Sequence, residues 1–301
     1  MRNHLQPRVK NKHKKWTGLD LFTFVVLTLV VIAVLIPFWN AIVISFTTNS
    51  AYVDQPFSFW PKEFTWANYI LLLENAGGLL IGYKNTIIIS VIGTVAGMLV
   101  MVMAAYVFSR EFPGKRFFFL ATIFTMYFGG GLIPTYLNLK SLDLLNTHAG
   151  VILLTLCSVY HIIIMKNGFE STPKDLQEAA MIDGATDMTI FWKVMLPLQK
   201  PLIATFSLFT FVDLWNDWYW PMLILTDNKK VVLQLYLRTI INSVNSMLEG
   251  ISVSEDAAAL DAFGAGMQMA ALLVVILPVM CVYPFLQKYF VKGIMVGSVK
   301  M

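Results

Sequence analysis

The run Asp213-Leu214-Trp215-Asn216-Asp217-Trp218-Tyr219-Trp220-Pro221 concentrates polar chemistry inside an apolar segment. Asp213, Asn216, Asp217 and Trp220 stand at i, i+3, i+4 and i+7, the spacing of one helix face. Carboxylates and an amide exchange hydrogen bonds with hydroxyl groups, and indole faces stack on sugar rings. The set suits a neutral or cationic polar solute better than an anion. With a rise of ~1.5 Å per residue, Asp213 falls near the middle of a hydrocarbon core ~30 Å thick. Acids at that depth face a water-filled path or a partner. The same residues would also serve helix packing, and the tryptophans an interfacial aromatic belt.

No reaction centre accompanies this face. The chain has no H-E-x-x-H zinc motif and no G-x-S-x-G nucleophile elbow. It also has no G-x-x-x-x-G-K-[ST] phosphate loop; the nearest approach, Gly77 to Tyr83, lacks the lysine. His4, His13, His148 and His161 are scattered, with no two at a metal-binding spacing. His161 lies within an apolar run, where an ionisable group is a functional candidate; a neutral histidine bonded to a neighbouring helix is the preferred reading. We therefore expect no catalytic residue, no metal and no cofactor bound by this chain. Uphill transport would need an ion gradient or a partner.

The elements that carry these residues are membrane helices. Of 301 residues, 57% are hydrophobic and 13% charged, against about 25% charged in soluble domains. Apolar segments of spanning length run roughly from 21–46, 86–108, 117–137, 149–165, 202–225 and 268–287. The expected fold is an all-α integral membrane protein with six transmembrane helices. The first run exceeds the ~7–15 residues of a signal h-region and reads as a retained span. Pro37, Pro134 and Pro278 fall inside spans, where neighbouring helices satisfy freed backbone groups. Cys157 and Cys281 read as small buried residues. Gly129-Gly130-Gly131 reads first as a close-packing site; unwinding that frees carbonyls is the alternative.

Basic residues orient the spans. With both termini cytoplasmic, sixteen of the 22 lysines and arginines fall on cytoplasmic segments. The basic tail 1–20 then acts as an orientation signal touching anionic lipid, with no support for a nucleic-acid role. Residues 21–301 form the transmembrane domain. External segments include an interfacial helix within 52–76, capped by Thr65, and a long loop at about 227–266.

The cytoplasmic segment at about 170–200 is unusual for so apolar a chain. Thr172, Pro173 and Asp175 read as N-cap, N1 and N3 of a short helix. Leu176, Ala179 and Ala180 share one small apolar face, and Gly184 supplies a left-handed stop. A second short helix follows from about Thr186 to Met195; Pro197 ends it and Pro201 opens the next span. Such a bent pair is either a docking device with a close-approach face or a hairpin lying in the interface.

Glu178-Ala179-Ala180, Gly184, nine residues, then Val194-x-Leu196-Pro197 resembles the E-A-A signature of binding-protein-dependent ABC importer permeases, with valine in place of isoleucine. That resemblance implies the type I ABC importer permease architecture. It implies a coupling segment made by Glu178, Ala179, Ala180, Asp183, Gly184, Leu196 and Pro197 that seats in a cytoplasmic ATPase. ATP-Mg would bind on that partner. Four stretches (128–153, 162–187, 214–225 and 286–300) look like the carbohydrate-uptake, maltose-permease-like branch, nearest to Gram-positive polysaccharide and oligosaccharide permeases. The resemblance covers roughly residues 15–301. It implies a second homologous permease subunit, two copies of the ATPase, an extracellular solute-binding lipoprotein, an oligosaccharide cargo and a place in the bacterial plasma membrane. Asp213, Asn216, Asp217 and Trp220 become substrate-path candidates. Gly297, Ser298 and Val299, in the cytoplasmic tail 288–301, become ATPase-contacting candidates. The loop containing "SVSEDAAALD" would face the binding protein. Other cargoes on the same machine are an amino acid, a peptide or an oxyanion, the last disfavoured by spans without basic groups. The alternative from another class is an ion-coupled transporter using Asp213 and Asp217 as proton carriers.

Overall fold

The computed structural model describes residues 17–74, 76–250 and 264–298, with side chains described from 77 to 242 in the second stretch and up to 281 in the third. Among the described residues the chain is helical, with no strand beyond one isolated antiparallel bridge between Thr47 and Phe64.

Helix α1 (Gly18–Ser45) starts on a reciprocal cap: the Thr17 hydroxyl accepts from Asp20 N–H, and Asp20 Oδ2 accepts from Thr17 N–H. Its apolar side chains stay exposed until Val43, Ile44 and Ser45 meet the rest of the molecule. Pro37 remains inside the helix. Short helices α2 (Asn49–Asp54) and α3 (Ala67–Glu74) follow. Asn68 pins α3 to the end of α1 by donating to the Ser45 and Thr47 carbonyls at 3.0 and 3.1 Å. Thr65 Oγ1 accepts from Ala67 N–H at 3.1 Å.

Helix α4 (Ala76–Ser109) is the central element. After it come α5 (Lys115–Tyr127), which packs on α8, and α6 (Leu132–Ser141), then α7 (His148–Thr155) and α8 (Val159–Glu170), which pack on α4. Next come α9 (Lys174–Ile182) and α10 (Asp187–Ile190), which continues through one π turn (Phe191–Met195) into α11 (Leu196–Leu198). Helices α12 (Lys200–Asn216), α13 (Tyr219–Ile224), α14 (Leu233–Gly250) and α15 (Ala265–Ser298) are the remaining described α-helices.

Among the described residues two helices, Gly18–Ser45 and Gly77–Ser109, are long and apolar enough to cross a membrane unbroken. The third, fourth and fifth expected spans are not straight helices. Two of them break within the segment: α5 and α6 meet at 112°, and α7 and α8 at 52°. The fifth leaves α10–α11 at 79° and breaks again after Asn216. The sixth expected span falls within α15, where Ala265–Cys281 is apolar.

Local chemistry explains the breaks. At the first, Gly131 has φ +82°, and Pro134 falls in the first turn of α6, where a missing N–H costs nothing. An added Cβ at Gly129 or Gly131 would meet nothing within 4 Å. The triplet is therefore an unwound corner, and the close-packing reading does not hold within this chain. At the second break Ser158 caps α8, its hydroxyl accepting from His161 N–H. At the third Asp217 turns extended, and its Oδ1 accepts from Tyr219 and Trp220 N–H, capping α13.

Three apolar clusters hold the helices together. One joins α4 (Met101, Ala105, Tyr106), α8 (Met165, Phe169), the α10–π segment (Ile190, Phe191, Met195) and α12 (Phe206). At the other end, a second joins α3, α4, α12, α14 and α15. The third joins α4, α6, α7, α12 and α13 through Ile89, Leu139, Val151, Leu214 and Ile224.

Candidate functional site

The substrate-path candidates do come together, although not by helical periodicity. Helix α12 ends at Asn216, so Asp217 and Trp220 do not share its face. Instead the broken ends of two bent helices border one cavity of about 520 Å³. Thr155, Cys157 and Ser158 come from the α7–α8 break, and Asn216 and Asp217 from the α12–α13 break. Met101, His161, Thr210, Asp213, Leu214 and Trp220 complete the lining. Its volume lies in the range of ~300–1,000 Å³ usual for small-molecule sites. Non-helical backbone at membrane depth is tolerated where it lines a cavity or is buried in protein, which accounts for both breaks lying here.

Each polar group has a defined situation. Asp213 and Asn216 are exposed to the cavity and Asp217 is half-buried. Asp217 spends Oδ1 on capping α13, while Oδ2 has no hydrogen-bond partner. Asn216 Oδ1 accepts from Gln234 Nε2 of α14 at 3.1 Å. One turn along α14, the Arg238 guanidinium lies 3.8 Å from the Trp218 ring centroid. The expected long loop is thus in part a helix whose polar residues touch the α12–α13 break. "SVSEDAAALD" lies outside the described residues.

His161 is buried, its ring 4.6 Å from that of Phe206, and its Nδ1 has no partner. The preferred reading of a histidine bonded to a neighbouring helix is therefore not met at that nitrogen. Sequence reasoning also missed Thr210 and Ser158. Both carried a signal: Thr210 is three residues before Asp213, extending the same stripe, and Ser158 is an N-cap residue inside an apolar run. The cysteines are free and exposed, Cys157 against the cavity, and not buried as expected.

The other polar region is the α9–α10 pair. Pro173, not Thr172, precedes α9 as its N-cap; the Thr172 hydroxyl accepts instead from Gln199 Nε2 at 3.0 Å. After the C-cap Asp183, Gly184 has φ +80°. Ala185 N–H donates to the Ala180 carbonyl and Gly184 N–H to the Met181 carbonyl, a complete glycine-terminated cap. Thr186 then caps α10, its hydroxyl accepting from Thr189 N–H. Pro197 does not end this helix; the backbone stays helical through it, directly after the π turn, and the chain turns at Gln199.

Ala180, Ala185, Val194 and Leu196 pack on the cluster shared by α4, α8 and α12. Glu178, Ala179, Asp183 and Gly184 are exposed. Ile182 is 86% exposed and Met188 64%, beside exposed Leu176 and Trp192. Arg110, just past α4, was not singled out from sequence. Its guanidinium donates to Gln177 on α9, pairs with Asp187 on α10 at 3.1 Å, and lies 5.9 Å from the Tyr106 ring centroid. One residue thus ties both limbs of the pair to the central helix. Gly297 and Ser298 fall in the last turn of α15, and Val299 lies outside the described residues.

Residues 87–296 match the family model described as "Binding-protein-dependent transport system inner membrane component". The chain belongs to this family. The permease is 36% identical to "Protein LplC" of Bacillus subtilis, over 88% of this chain and 89% of that one. It is also 36% identical to the "Polygalacturonan/rhamnogalacturonan transport system permease protein YtcP" of the same organism, over 93% and 98%. Among solved structures, a chain from "a bacterial ABC transporter involved in the import of the acidic polysaccharide alginate" superposes with a TM-score of 0.81 at 33% identity. The match covers 92% of this permease and 99% of that chain. YtcP is named a transport system permease protein, and the family model describes an inner membrane component. This permease is accordingly a plasma-membrane ABC transporter subunit.

Proposed function

We propose that this permease carries oligosaccharides across the plasma membrane, received from an extracellular binding lipoprotein and driven by a cytoplasmic ATPase that binds ATP-Mg. In this reading six spans, three of them broken, cross the membrane with both termini cytoplasmic. A second homologous permease and two ATPase copies complete the assembly. Glu178, Ala179, Ala180, Asp183, Gly184, Leu196 and Pro197 form or shape the coupling segment that meets the ATPase. Gly297, Ser298 and Val299 reach toward the same partner. Asp213, Asn216, Asp217 and Trp220 contact solute on its way through.

The observation that carries this reading is the continuity from the α9–α10 pair to the cavity. The exposed side of the pair presents Ile182 and Met188, an apolar surface fit for a protein groove. Its inner side is packed onto α4, α8 and α12, which supply Met101, Ser158, His161, Asp213 and Asn216 to the cavity. Displacing the pair therefore displaces the walls around the solute. Nucleotide binding on the ATPase would bias two arrangements of this unit.

The test is uptake by proteoliposomes containing the transporter with its partners. Wild type should take up oligosaccharide only with ATP, and Gly184→Asp should hydrolyse ATP without uptake. Wild-type uptake by Gly184→Asp would sink the docking assignment. Uptake that an uncoupler abolishes while ATP is held constant would favour proton coupling through Asp213 and Asp217.

A further inference from the structure

The loop joining α2 to α3 presents aromatic rings to its surroundings. Phe59 is 67% exposed, Trp60 71%, Phe64 59% and Trp66 56%. The backbone beneath them is nonetheless fixed. Thr65 N–H donates to the Phe46 carbonyl at 2.9 Å, and Thr47 and Phe64 form the isolated bridge. The Ser58 hydroxyl serves both backbone groups of Trp60, donating to its carbonyl and accepting from its N–H. Trp39 Nε1 donates to the Phe59 carbonyl at 2.9 Å, and the Trp39 and Trp60 rings lie 6.0 Å apart. Pro56 and Pro61 have no N–H to satisfy. A surface that meets its own backbone groups suits a medium without fixed partners. Of the two charges in the loop, Glu63 accepts from the Thr48 hydroxyl at 2.8 Å, and Lys62 can extend its ammonium toward headgroup phosphates.

The bond from Trp39 sets the depth of this loop. The stretch from Leu21 to Asn40 rises ~29 Å along α1, close to the ~30 Å of a hydrocarbon core. Asn40 is the first amide or charged side chain after Asp20, so α1 leaves the hydrocarbon beside Trp39. The helix continues ~9 Å further, to the buried Val43, Ile44 and Ser45. Phe59 and Trp60 therefore fold back along α1 to the level at which it emerges. Tryptophan concentrates at that level because an indole is apolar over its body and polar at its N–H. The rings also continue the exposed apolar surface that α1 carries between Leu19 and Ile36. Helix α3, the expected interfacial element, is instead tied into the protein by buried Asn68 and Leu72. We propose that the 57–66 loop is a lipid anchor, held by Trp39 with its rings inserted at the headgroup–acyl boundary of the leaflet where α1 ends. In the orientation proposed above this is the outer leaflet, and only that choice rests on the transport reading.

Photo-crosslinking shows what covers the loop. p-Benzoylphenylalanine replaces Phe59 in the transporter assembled with its partners, in vesicles of phosphatidylethanolamine and phosphatidylglycerol. After irradiation the peptide carrying position 59 should gain the mass of a phospholipid, read by mass spectrometry. The same group placed at Asp54, exposed at the end of α2, should give about tenfold less lipid adduct. Trp39→Phe keeps an aromatic ring but loses the N–H, and should lower the adduct at position 59 about fivefold, as for the loss of one net hydrogen bond. A cross-link from position 59 to the second permease or to the binding protein overturns the proposal. So does equal lipid adduct at positions 54 and 59, or an adduct at 59 that Trp39→Phe leaves unchanged. Oligosaccharide uptake, measured in the same vesicles, tests the transport reading separately.

Discussion

Replacing Arg110 with alanine is expected to uncouple the α9–α10 pair from the central helix more than removing any one charge on the pair itself. The Asp187 side chain is 78% exposed, so the ion pair contributes only ~0.5 kcal/mol. The bond to Gln177 has a charged donor at a partly buried site and contributes ~1.5 kcal/mol. Contact with the Tyr106 ring adds ~0.5 kcal/mol. The three share one guanidinium and do not add fully, leaving about 2 kcal/mol, or roughly a 30-fold shift in the docked arrangement. Asp187→Asn removes only the exposed ion pair and should shift it about twofold. Arg110→Lys keeps charge but loses the fork that reaches both limbs, so it should fall between. The assay is ATP hydrolysed per solute delivered in proteoliposomes. Arg110→Ala should raise this ratio roughly tenfold or more, with Asp187→Asn near wild type. A wild-type ratio in Arg110→Ala, or Asp187→Asn as damaging as Arg110→Ala, would refute the reasoning.

Two further substitutions test the glycines that shape the two regions. At Gly184, with φ +80° and nothing within 4 Å of a built Cβ, alanine should cost only the left-handed backbone term of ~1–2 kcal/mol; asparagine, which tolerates that region, should cost less, read as the order of thermal midpoints of the purified transporter. At Gly150 a Cβ would meet the Leu144 carbonyl oxygen at 2.3 Å, an obstacle that no rotamer change clears. Gly150→Ala should therefore cost ~1–3 kcal/mol and lower the midpoint clearly, while Gly93→Ala, whose tight contact is a Leu214 side-chain methyl at 2.8 Å, should cost less.

Much of this protein was legible one residue at a time. Apolar runs marked the helices because a bilayer demands about twenty such residues. The Glu178–Pro197 stretch marked the bent α9–α10 pair because a glycine stop and a small face are local properties; its reading as a coupling segment came from the resemblance. Local signals also foretold the breaks in part: Gly131, Ser158 and Asp217 are a turn glycine and two capping residues. Their effect was hidden by the assumption that an apolar run is one straight helix. That assumption placed Asp217 and Trp220 on the α12 face, whereas both lie past its end and reach the cavity from the break.

What the sequence determined by itself was the membrane setting, the family and the residues able to bond a hydroxyl. Only the tertiary structure decided which of them meet. His161 and Thr210 are 49 positions apart in sequence, and no periodicity links α8 to α12. Arg110 reaches Gln177 and Asp187 only because packing of α4, α8 and α10 brings their ends together. Local propensity acts over a few residues, whereas a cavity exists only where separate helices leave space between them.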